Sequence, residues 1–468
     1  MPERILFLTG RLAEKNLHRV LEDLNASEFD YQVREMGINV AGLMTAEMIR
    51  RRMPTAPDAD RIIVPGRCRG DLDLLSQHYG IPVVRGPDEL KDLPQYFGRG
   101  GARPDLSRYD ALIFAEIVDA PRMSVAEVLE RARRYRKDGA DVVDLGCLPE
   151  TPFTALEDMV RALKEEGFAV SVDSVDPQEL LRGGQAGADY LLSLKEETLW
   201  VAAEVEATPV LIPGQPGDMN SLIRAMHAML ESGRRFFADP ILDPIHFGFA
   251  ESIVRFVELR RSFPEVPIMM GVGNVTELTD ADTAGINAVL MGLISELRIG
   301  ALLTTEVSPH ARRAVREADI ARRMMFASRA DNSLPRGYTS ELMAVHARQP
   351  FPDAPDEIEE TAKAIKDPSY RVQVSQDGIH VYNRDGHHVA RDPFDVWPNL
   401  GLEADGGHAF YMGVETARAQ IAWQLGKRYV QDEELDWGCA VDRQPDDKLG
   451  HCAPGTTLGV RPLKDQSQ

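Results

Sequence analysis

Acidic residues stand at the carboxyl ends of several short apolar runs in the middle of the chain. These residues are Glu116 or Asp119, Asp144, Asp173, Asp239 and Asp243. Any one of them alone could cap the following helix without a further role. Five acids at one edge of a sheet, however, would suit two chemistries: binding a divalent metal ion through oxygen ligands, or accepting the paired N–H donors of a heterocycle.

Other polar side chains follow neighbouring apolar runs. Ser193 and Lys195 end the run LLSLK, Thr151 lies in the loop beyond Asp144, and Asn274 belongs to the segment GVGN. Lys195 could supply positive charge beside the carboxylates. Ser193 and Asn274 are candidate ligand-binding residues.

An alternation of strands and helices would position these residues. Between residues 111 and 308 the pattern predicts eight strand–helix units, the number and size of a (β/α)₈ (TIM) barrel. The carboxyl ends of the strands form one face of such a barrel, so the polar residues above should meet there. The strands are expected at Ala111–Glu116, Asp141–Leu145, Ala169–Val172, Tyr190–Ser193, Pro209–Ile212, Arg235–Ala238, Pro267–Met270 and Ala288–Met291.

Further segments flank the predicted barrel. Residues 1–98 predict a small parallel α/β domain, Rossmann- or flavodoxin-like, and residues 99–110 a Gly- and Pro-rich linker. Residues 309–355 predict a helical extension whose arginine-rich part, 312–323, should face solvent. Residues 356–468 predict a small α+β domain with two strands in RVQVSQDGIHVYN. The fold class is therefore α/β with a small C-terminal appendage.

The overall composition disfavours several classes of function. The 468-residue chain has a formal net charge of −21, which argues against a general nucleic-acid binder and against attachment to an anionic membrane. It shows no long apolar run and no secretory pattern, so a cytoplasmic enzyme is expected. The four cysteines lack the C-x-x-C spacing of zinc sites. His380, His387 and His388 are weaker candidates for a metal site.

Motifs in the predicted barrel resemble those of dihydropteroate synthases. GADVVDLG (139–146) with PETP (149–152) is similar to their second-strand motif, SVDS (171–174) to their third-strand aspartate motif, and ADPILDPIHFG (238–248) to their sixth-strand motif. EIVDAP and DGIHVYNRDGHH are similar to the divergent dihydropteroate-synthase-related proteins of archaea and methylotrophic bacteria, which also carry an N-terminal α/β domain. The resemblance to this subgroup extends over nearly the whole chain.

This resemblance implies a pterin-binding transferase. It would condense a hydroxymethyl-dihydropterin diphosphate with an arylamine, in the biosynthesis of tetrahydromethanopterin or another folate-like cofactor, with Mg²⁺ as a candidate cofactor. Because related barrels are often dimers, a homodimer is expected. The implied pterin-binding residues are Asp144, Asp173, Ser193, Asp239, Asp243 and Asn274, and the implied catalytic residues are Asp119, Thr151 and Lys195.

Departures from the synthase pattern keep other functions open. Ordinary synthases carry Ser-Arg-Lys after strand seven and Arg-x-His after strand eight, where this chain has GVGNVT (271–276) and GLIS (292–295). Lys195 and Arg298 are the remaining candidate cations. The Gly-x-x-Asn-x-Thr pattern around Asn274 resembles methyltetrahydrofolate-dependent methyltransferases, which favours a pterin-dependent methyl or one-carbon transferase. A third hypothesis is a non-catalytic protein that carries or assembles a pterin intermediate.

Overall fold

The structure is a computed structural model that describes residues 2–24, 29–88, 90–98, 104–149 and 151–442, apart from the side chain of Lys91. The chain groups into two compact units. One unit is formed by residues 1–103, 345–436 and 442–468, and the other by residues 104–344 and 437–441. No helix among the described residues is long and apolar enough to span a membrane.

The N-terminal part of the first unit contains a parallel sheet of four strands in the order β2-β1-β3-β4. Strand β1 is buried over five consecutive residues because helices cover both faces of the sheet. Leu6 and Leu8 pack on one face with Ile49, and Ile5 and Phe7 pack on the other. The elements are β1 (Glu3–Thr9), α1 (Arg11–Asp23), β2 (Phe29–Glu35), α2 (Ala46–Arg52), β3 (Arg61–Val64), α3 (Leu72–Tyr79), β4 (Val83–Arg85) and α4 (Leu93–Tyr96).

The second unit is an eight-stranded parallel barrel that is nearly closed, as the sequence predicted. Its strands follow the order β10-β9-β8-β7-β6-β5-β12-β11. A parallel bridge between Ala238 and Ile268 joins the two ends of this sheet, with a hydrogen bond of 2.9 Å from Ala238 N to Pro267 O. The strands are β5 (Leu112–Ile117), β6 (Val142–Gly146), β7 (Ala169–Asp173), β8 (Tyr190–Leu194), β9 (Thr208–Leu211), β10 (Phe237–Ala238), β11 (Met269–Gly271) and β12 (Ala301–Thr305).

Helices surround the barrel, and a separate layer of apolar side chains fills its interior. Phe114, Val142, Leu192, Val210 and Met269 belong to this interior layer. Side chains alternate along a strand, so residues two positions further on also point inward, nearer the C-terminal face. The helices are α5 (Val125–Lys137), α6 (Leu156–Glu165), α7 (Pro177–Gln185), α8 (Trp200–Glu204), α9 (Met219–Glu231), α10 (Phe249–Ser262), α11 (Gly273–Thr276), α12 (Thr283–Glu296) and α13 (Ala314–Ala330).

The predicted position of the eighth strand is wrong. Residues 288–291 belong to helix α12, and β12 at Ala301–Thr305 is the eighth strand. Leu290, Met291 and Ile294 of α12 pack into the barrel core, and α12 also contacts α13. A helix that contacts neighbours on more than one side carries a nearly continuous apolar run. Over four residues such a run cannot be distinguished from a buried strand.

The prediction that the arginine-rich part of α13 faces solvent is also wrong. Arg322 is 4% exposed and lies against the N-terminal ends of β5 and β6. Its guanidinium donates to the backbone carbonyls of Ala111 and Gly139 at 2.7 and 2.8 Å and to Asp319 at 2.6 Å, and it also pairs with Asp141. The arginine therefore joins the last barrel helix to the first two strands.

The C-terminal part of the first unit contains a three-stranded antiparallel sheet in the order β13-β14-β15. The sequence predicted the first two strands, and residues 386–390 add the third. His380 is buried and bonds to Ser375 Oγ at 2.7 Å and to His387 at 3.0 Å, so these histidines form part of a packed polar chain. The elements are α14 (Pro355–Ala364), β13 (Arg371–Ser375), β14 (Gly378–Asn383), β15 (Gly386–Ala390), α15 (Pro393–Val396) and α16 (Gly406–Leu425).

Replacing Arg322 by methionine should lower the free energy of unfolding of the barrel by about 3–5 kcal/mol. The substitution leaves the largely buried carboxylate of Asp141 without its cation, and Asp319 keeps only its ion pair with Arg323. Equilibrium urea unfolding measures the change. The control is Arg312→Met at an exposed position just before α13, where an effect below about 0.5 kcal/mol is expected. Equal effects at both positions would contradict a structural role for Arg322.

Candidate functional site

The register of the first three barrel strands brings three acids together. Glu116 on β5 pairs with Asp144 on β6, and Asp144 pairs with Ser171 on β7. Asp173 lies two residues beyond Ser171 and points to the same side. One carboxylate oxygen from each of Glu116, Asp144 and Asp173 lies within 4.8 Å of the others. These three acids therefore meet at the C-terminal mouth of the barrel.

A fourth acid, Asp239, follows the short strand β10 at the same face. Its Oδ1 accepts a hydrogen bond of 2.8 Å from Ile241 N. Burial raises the pKa of Asp239, and the negative charge of Asp173 is close enough to raise it further. We call Glu116, Asp144, Asp173 and Asp239 the mouth acids. Asp144 is fully buried, whereas the other three are partly exposed. Three of the four residues therefore keep some surface open to the barrel mouth.

Burial makes the mouth acids unusually weak acids. It raises the pKa of Glu116 to about 7, together with the charges of Asp173 and Glu277. It also raises the pKa of Asp239 to about 7, and that of Asp173 to about 6 against the opposing effect of a hydrogen bond from Ser193. Burial and the neighbouring carboxylates hold the pKa of Asp144 well above its usual range. The group therefore retains protons close to neutral pH.

Two serine hydroxyls support this group. Ser193 Oγ donates to Asp173 Oδ1 at 3.4 Å, so the structure brings the predicted Ser193 to the mouth acids. Ser171 Oγ donates to Asp144 Oδ1. The sequence reasoning did not select Ser171, although its place two residues before Asp173 on a strand was a usable signal.

The loop after β10 is held by internal contacts that use two predicted ligand-binding residues. Asp243 forms an ion pair of 2.6 Å with Arg255, whose guanidinium also donates to Ile241 O at 2.8 Å. Asn274 Nδ2 donates to Leu242 O at 2.8 Å. Ile241 has a φ of 66°, which is costly for a β-branched residue and requires such support. Asp243 and Asn274 therefore stabilise the loop that follows Asp239.

The three other charged residues that the sequence indicated, Asp119, Lys195 and Arg298, lie outside the group of mouth acids. Asp119 follows β5 but its carboxylate pairs with Arg131 of α5 at 3.1 Å, so Glu116 is the acid of this strand that joins the group. Lys195 follows β8 and, within the described residues, forms no ion pair. Arg298 precedes β12 and lies 3.8 Å from Asp110, which precedes β5. Arg298 is thus at the opposite end of the barrel, and its assignment as a mouth cation is wrong.

Thr151 lines a cavity at the C-terminal end of the barrel, and none of the mouth acids is among the described residues that line it. The cavity has a volume of about 430 Å³ and lies between the loops after β6 and β7. Thr151 Oγ1 donates to Pro149 O at 3.5 Å, and Glu150 lies outside the described residues. Cys147 also lines the cavity, and burial raises the pKa of its thiol. Its thiol is therefore a poor nucleophile.

Some acids near this face were missed by the sequence reasoning. Glu277 follows α11 and accepts hydrogen bonds from Val307 N at 2.9 Å and Ser308 N at 2.8 Å. Glu306 follows β12, and burial raises its pKa to about 7 despite an ion pair with Arg134. Glu306 was overlooked because β12 was placed too early in the chain, and Glu277 because it lies beyond α11 rather than at the end of a strand. The segment after the eighth strand is EVSPHAR (306–312), and it also lacks an Arg-x-His motif.

Comparisons with known proteins give partial matches. Residues 3–88 match the model of a family of unknown function, DUF6513. The chain is 25% identical over 527 aligned residues to an uncharacterized protein of Methanocaldococcus jannaschii, which covers 92% of this chain and 99% of that protein. It is also 38% identical over 87 residues to the FO synthase of Nocardia farcinica, but this covers 17% of this chain and 10% of that enzyme.

Among solved structures the chain is similar to dihydropteroate synthases at low identity. The Yersinia pestis enzyme with a pterine-sulfa conjugate is 18% identical, with a TM-score of 0.38, over 48% of this chain and 95% of that one. The Burkholderia cenocepacia enzyme complexed with 7,8-dihydropteroate is 15% identical, with a TM-score of 0.37, over 48% and 93%. Each match covers about half of this chain.

The raised pKa values predict that the barrel loses stability as the pH rises. The folded carboxyl groups keep protons that the unfolded chain releases near pH 4, so their stabilising effect is complete below that pH and disappears as the pH passes about 7. In Asp239→Asn the loss between pH 5 and pH 8 should be smaller by on the order of 2 kcal/mol. Urea unfolding at both pH values measures this, with Glu258→Gln at an exposed site of α10 as the control. Identical pH dependence in Asp239→Asn and wild type would contradict the prediction.

Proposed function

We propose that this barrel binds a reduced pterin at its C-terminal mouth and acts as a transferase of the dihydropteroate synthase type. The observation that carries the proposal is the group of mouth acids. Four carboxyl groups meet at one face, and none of them forms an ion pair with Lys or Arg in the described part of the chain. Such a group favours a ligand that brings several hydrogen-bond donors.

An amino-pyrimidinone ring is a chemically suitable partner for these acids. Its adjacent N–H groups are parallel donors, and a carboxylate accepts two such donors at once. Asp239 and Asp173 are proposed to take this role because they are partly exposed, with Ser193 beside Asp173. Asp144, which is fully buried, is proposed to support Asp173 and Asp239 from the interior of the barrel. Asp243 and Asn274 are proposed to act by holding the loop that carries Asp239.

The proposed reaction joins the pterin methylene carbon to an arylamine. The amine nitrogen forms a bond to this carbon while the bond between the carbon and the diphosphate oxygen breaks, the diphosphate leaves with the electron pair, and the amine loses a proton. Lys195 and Thr151 lie on loops of the same face and are proposed to contact the reacting groups, and Asp119 to border them. A bound Mg²⁺ would neutralise charge on the leaving diphosphate. The product would belong to tetrahydromethanopterin or a related folate-like cofactor.

A pterin-dependent one-carbon transferase is the second candidate. It is favoured by the segments after β11 and β12, GVGNVT (271–276) and EVSPHAR (306–312), which lack the Ser-Arg-Lys and Arg-x-His motifs of ordinary synthases. This reaction uses a pterin but no diphosphate. The dependence of binding on diphosphate therefore separates the two candidates.

Calorimetric titration of the full chain with hydroxymethyl-dihydropterin, and with its diphosphate plus Mg²⁺, tests the proposal. Asp239→Asn should raise the Kd at least about tenfold, because a hydrogen bond to a charged group contributes about 1.5–3 kcal/mol. Glu258→Gln on the outer surface should leave the Kd within about twofold of wild type. The variant comparison shows whether the ligand occupies the mouth.

The outcomes separate the candidate functions. Binding that needs the diphosphate, followed by turnover with an arylamine, supports the synthase reaction. Tight binding of the pterin alone, indifferent to diphosphate, supports the one-carbon transferase or a non-catalytic carrier. Absence of pterin binding by the wild-type chain overturns the proposal.

A further inference from the structure

We propose that Glu116, Asp144 and Asp173 bind a divalent cation of the kind that prefers oxygen ligands. The three residues lie on the adjacent strands β5, β6 and β7, and one oxygen from each lies within 4.8 Å of the others. They share a rigid sheet, so their spacing is set by the strand register. The inference shares Asp173 with the pterin proposal but does not rest on it, because it is argued from the positions of these three side chains without any pterin.

The unpartnered oxygen of Asp144 is the second observation. Asp144 has 0% of its surface exposed, and its Oδ1 accepts from Ser171 Oγ. Its Oδ2 is buried without a hydrogen-bond partner among the described residues. A buried polar atom without a partner costs about 1–3 kcal/mol, and more when it carries charge. A cation bound between Glu116 and Asp173 would provide the missing partner.

The charge around Asp144 supports the same conclusion. Glu116 and Asp173 flank Asp144, and no Lys or Arg ion pair to any of the three occurs in the described part of the chain. At the other end of the barrel, buried acids have such a partner in Arg322. Three carboxyl groups without a counter-charge must either hold protons or bind a cation.

The donor set selects the class of cation. Mg²⁺, Mn²⁺ and Ca²⁺ take carboxylate oxygens, whereas structural zinc takes Cys and His, and the group contains neither. Two oxygens on one Mg²⁺ lie at most about 4.2 Å apart, and two on one Ca²⁺ at most about 5 Å. The observed limit of 4.8 Å lies within the span of Ca²⁺ but exceeds that of Mg²⁺, so the smaller ion requires Glu116 and Asp173 to move closer together. Both residues are partly exposed, so a cation bound between them would be open to water or to an anionic substrate.

Binding of Mn²⁺ to the full chain without any pterin tests the inference. Electron paramagnetic resonance of free Mn²⁺ at pH 8 should show one bound ion per wild-type chain, displaced by Mg²⁺ or Ca²⁺. Glu116→Gln and Asp144→Asn should each raise the Kd at least tenfold. Mn²⁺ should also raise the Tm of the wild type but not of these variants.

The matched control is Glu179→Gln. Glu179 is an acid of the same barrel face whose carboxylate accepts from Ser174 Oγ at 2.6 Å, outside the proposed cation group. The Kd of the Glu179→Gln variant for Mn²⁺ should lie within twofold of the wild-type value. Circular dichroism of each variant verifies its fold, and Glu116→Gln, at a partly exposed position, covers the case in which Asp144→Asn does not fold.

Two results would overturn the inference. One is absence of Mn²⁺ binding by the wild type up to millimolar concentration at pH 8, which identifies a cluster that holds protons only. The other is unchanged affinity in Glu116→Gln, which places the ion elsewhere. Asp173 belongs to both proposals, so pterin binding is measured separately with Asp239→Asn, a substitution outside the cation group.

Discussion

The register of the parallel barrel strands is the constraint on which the candidate site depends. Glu116, Asp144 and Ser171 are paired neighbours across β5, β6 and β7, and their side chains point inward because the interior residues two positions earlier do so. A shift of one residue in β6 would turn Asp144 towards the helices and place Val143 or Leu145 in the mouth. Closure of the barrel then forces like charges into contact.

Buried carboxylates have different partners at the two ends of the barrel. At the N-terminal end, Arg322 satisfies Asp141, Asp319 and two backbone carbonyls, so the charges stabilise the fold. At the C-terminal end the mouth acids lack such a cation, and their raised pKa values record an unfavourable environment for the ionised form. Carboxyl groups with strongly raised pKa values cluster at functional sites, where burial and like charges are placed together.

The sequence predicted most of the fold but misplaced one strand–helix unit. Seven barrel strands lie within two residues of their predicted positions, because short apolar runs between helical segments are a local signal. Residues 288–291 failed because α12 packs against both the barrel core and α13. The same error removed Glu306 from the candidate acids and made the buried Arg322 look like a surface residue.

By itself, the sequence determined that carboxylates end several parallel strands and that Asp144, Asp173 and Asp239 would share one barrel face. These features follow from local pattern and from the single direction of the strands. Only the tertiary structure decided that Glu116 rather than Asp119 joins them, and that Asp243 and Asn274 hold a loop. Those outcomes depend on Arg131, Arg255 and Leu242, which lie 12 to 32 residues away and meet their partners only after folding.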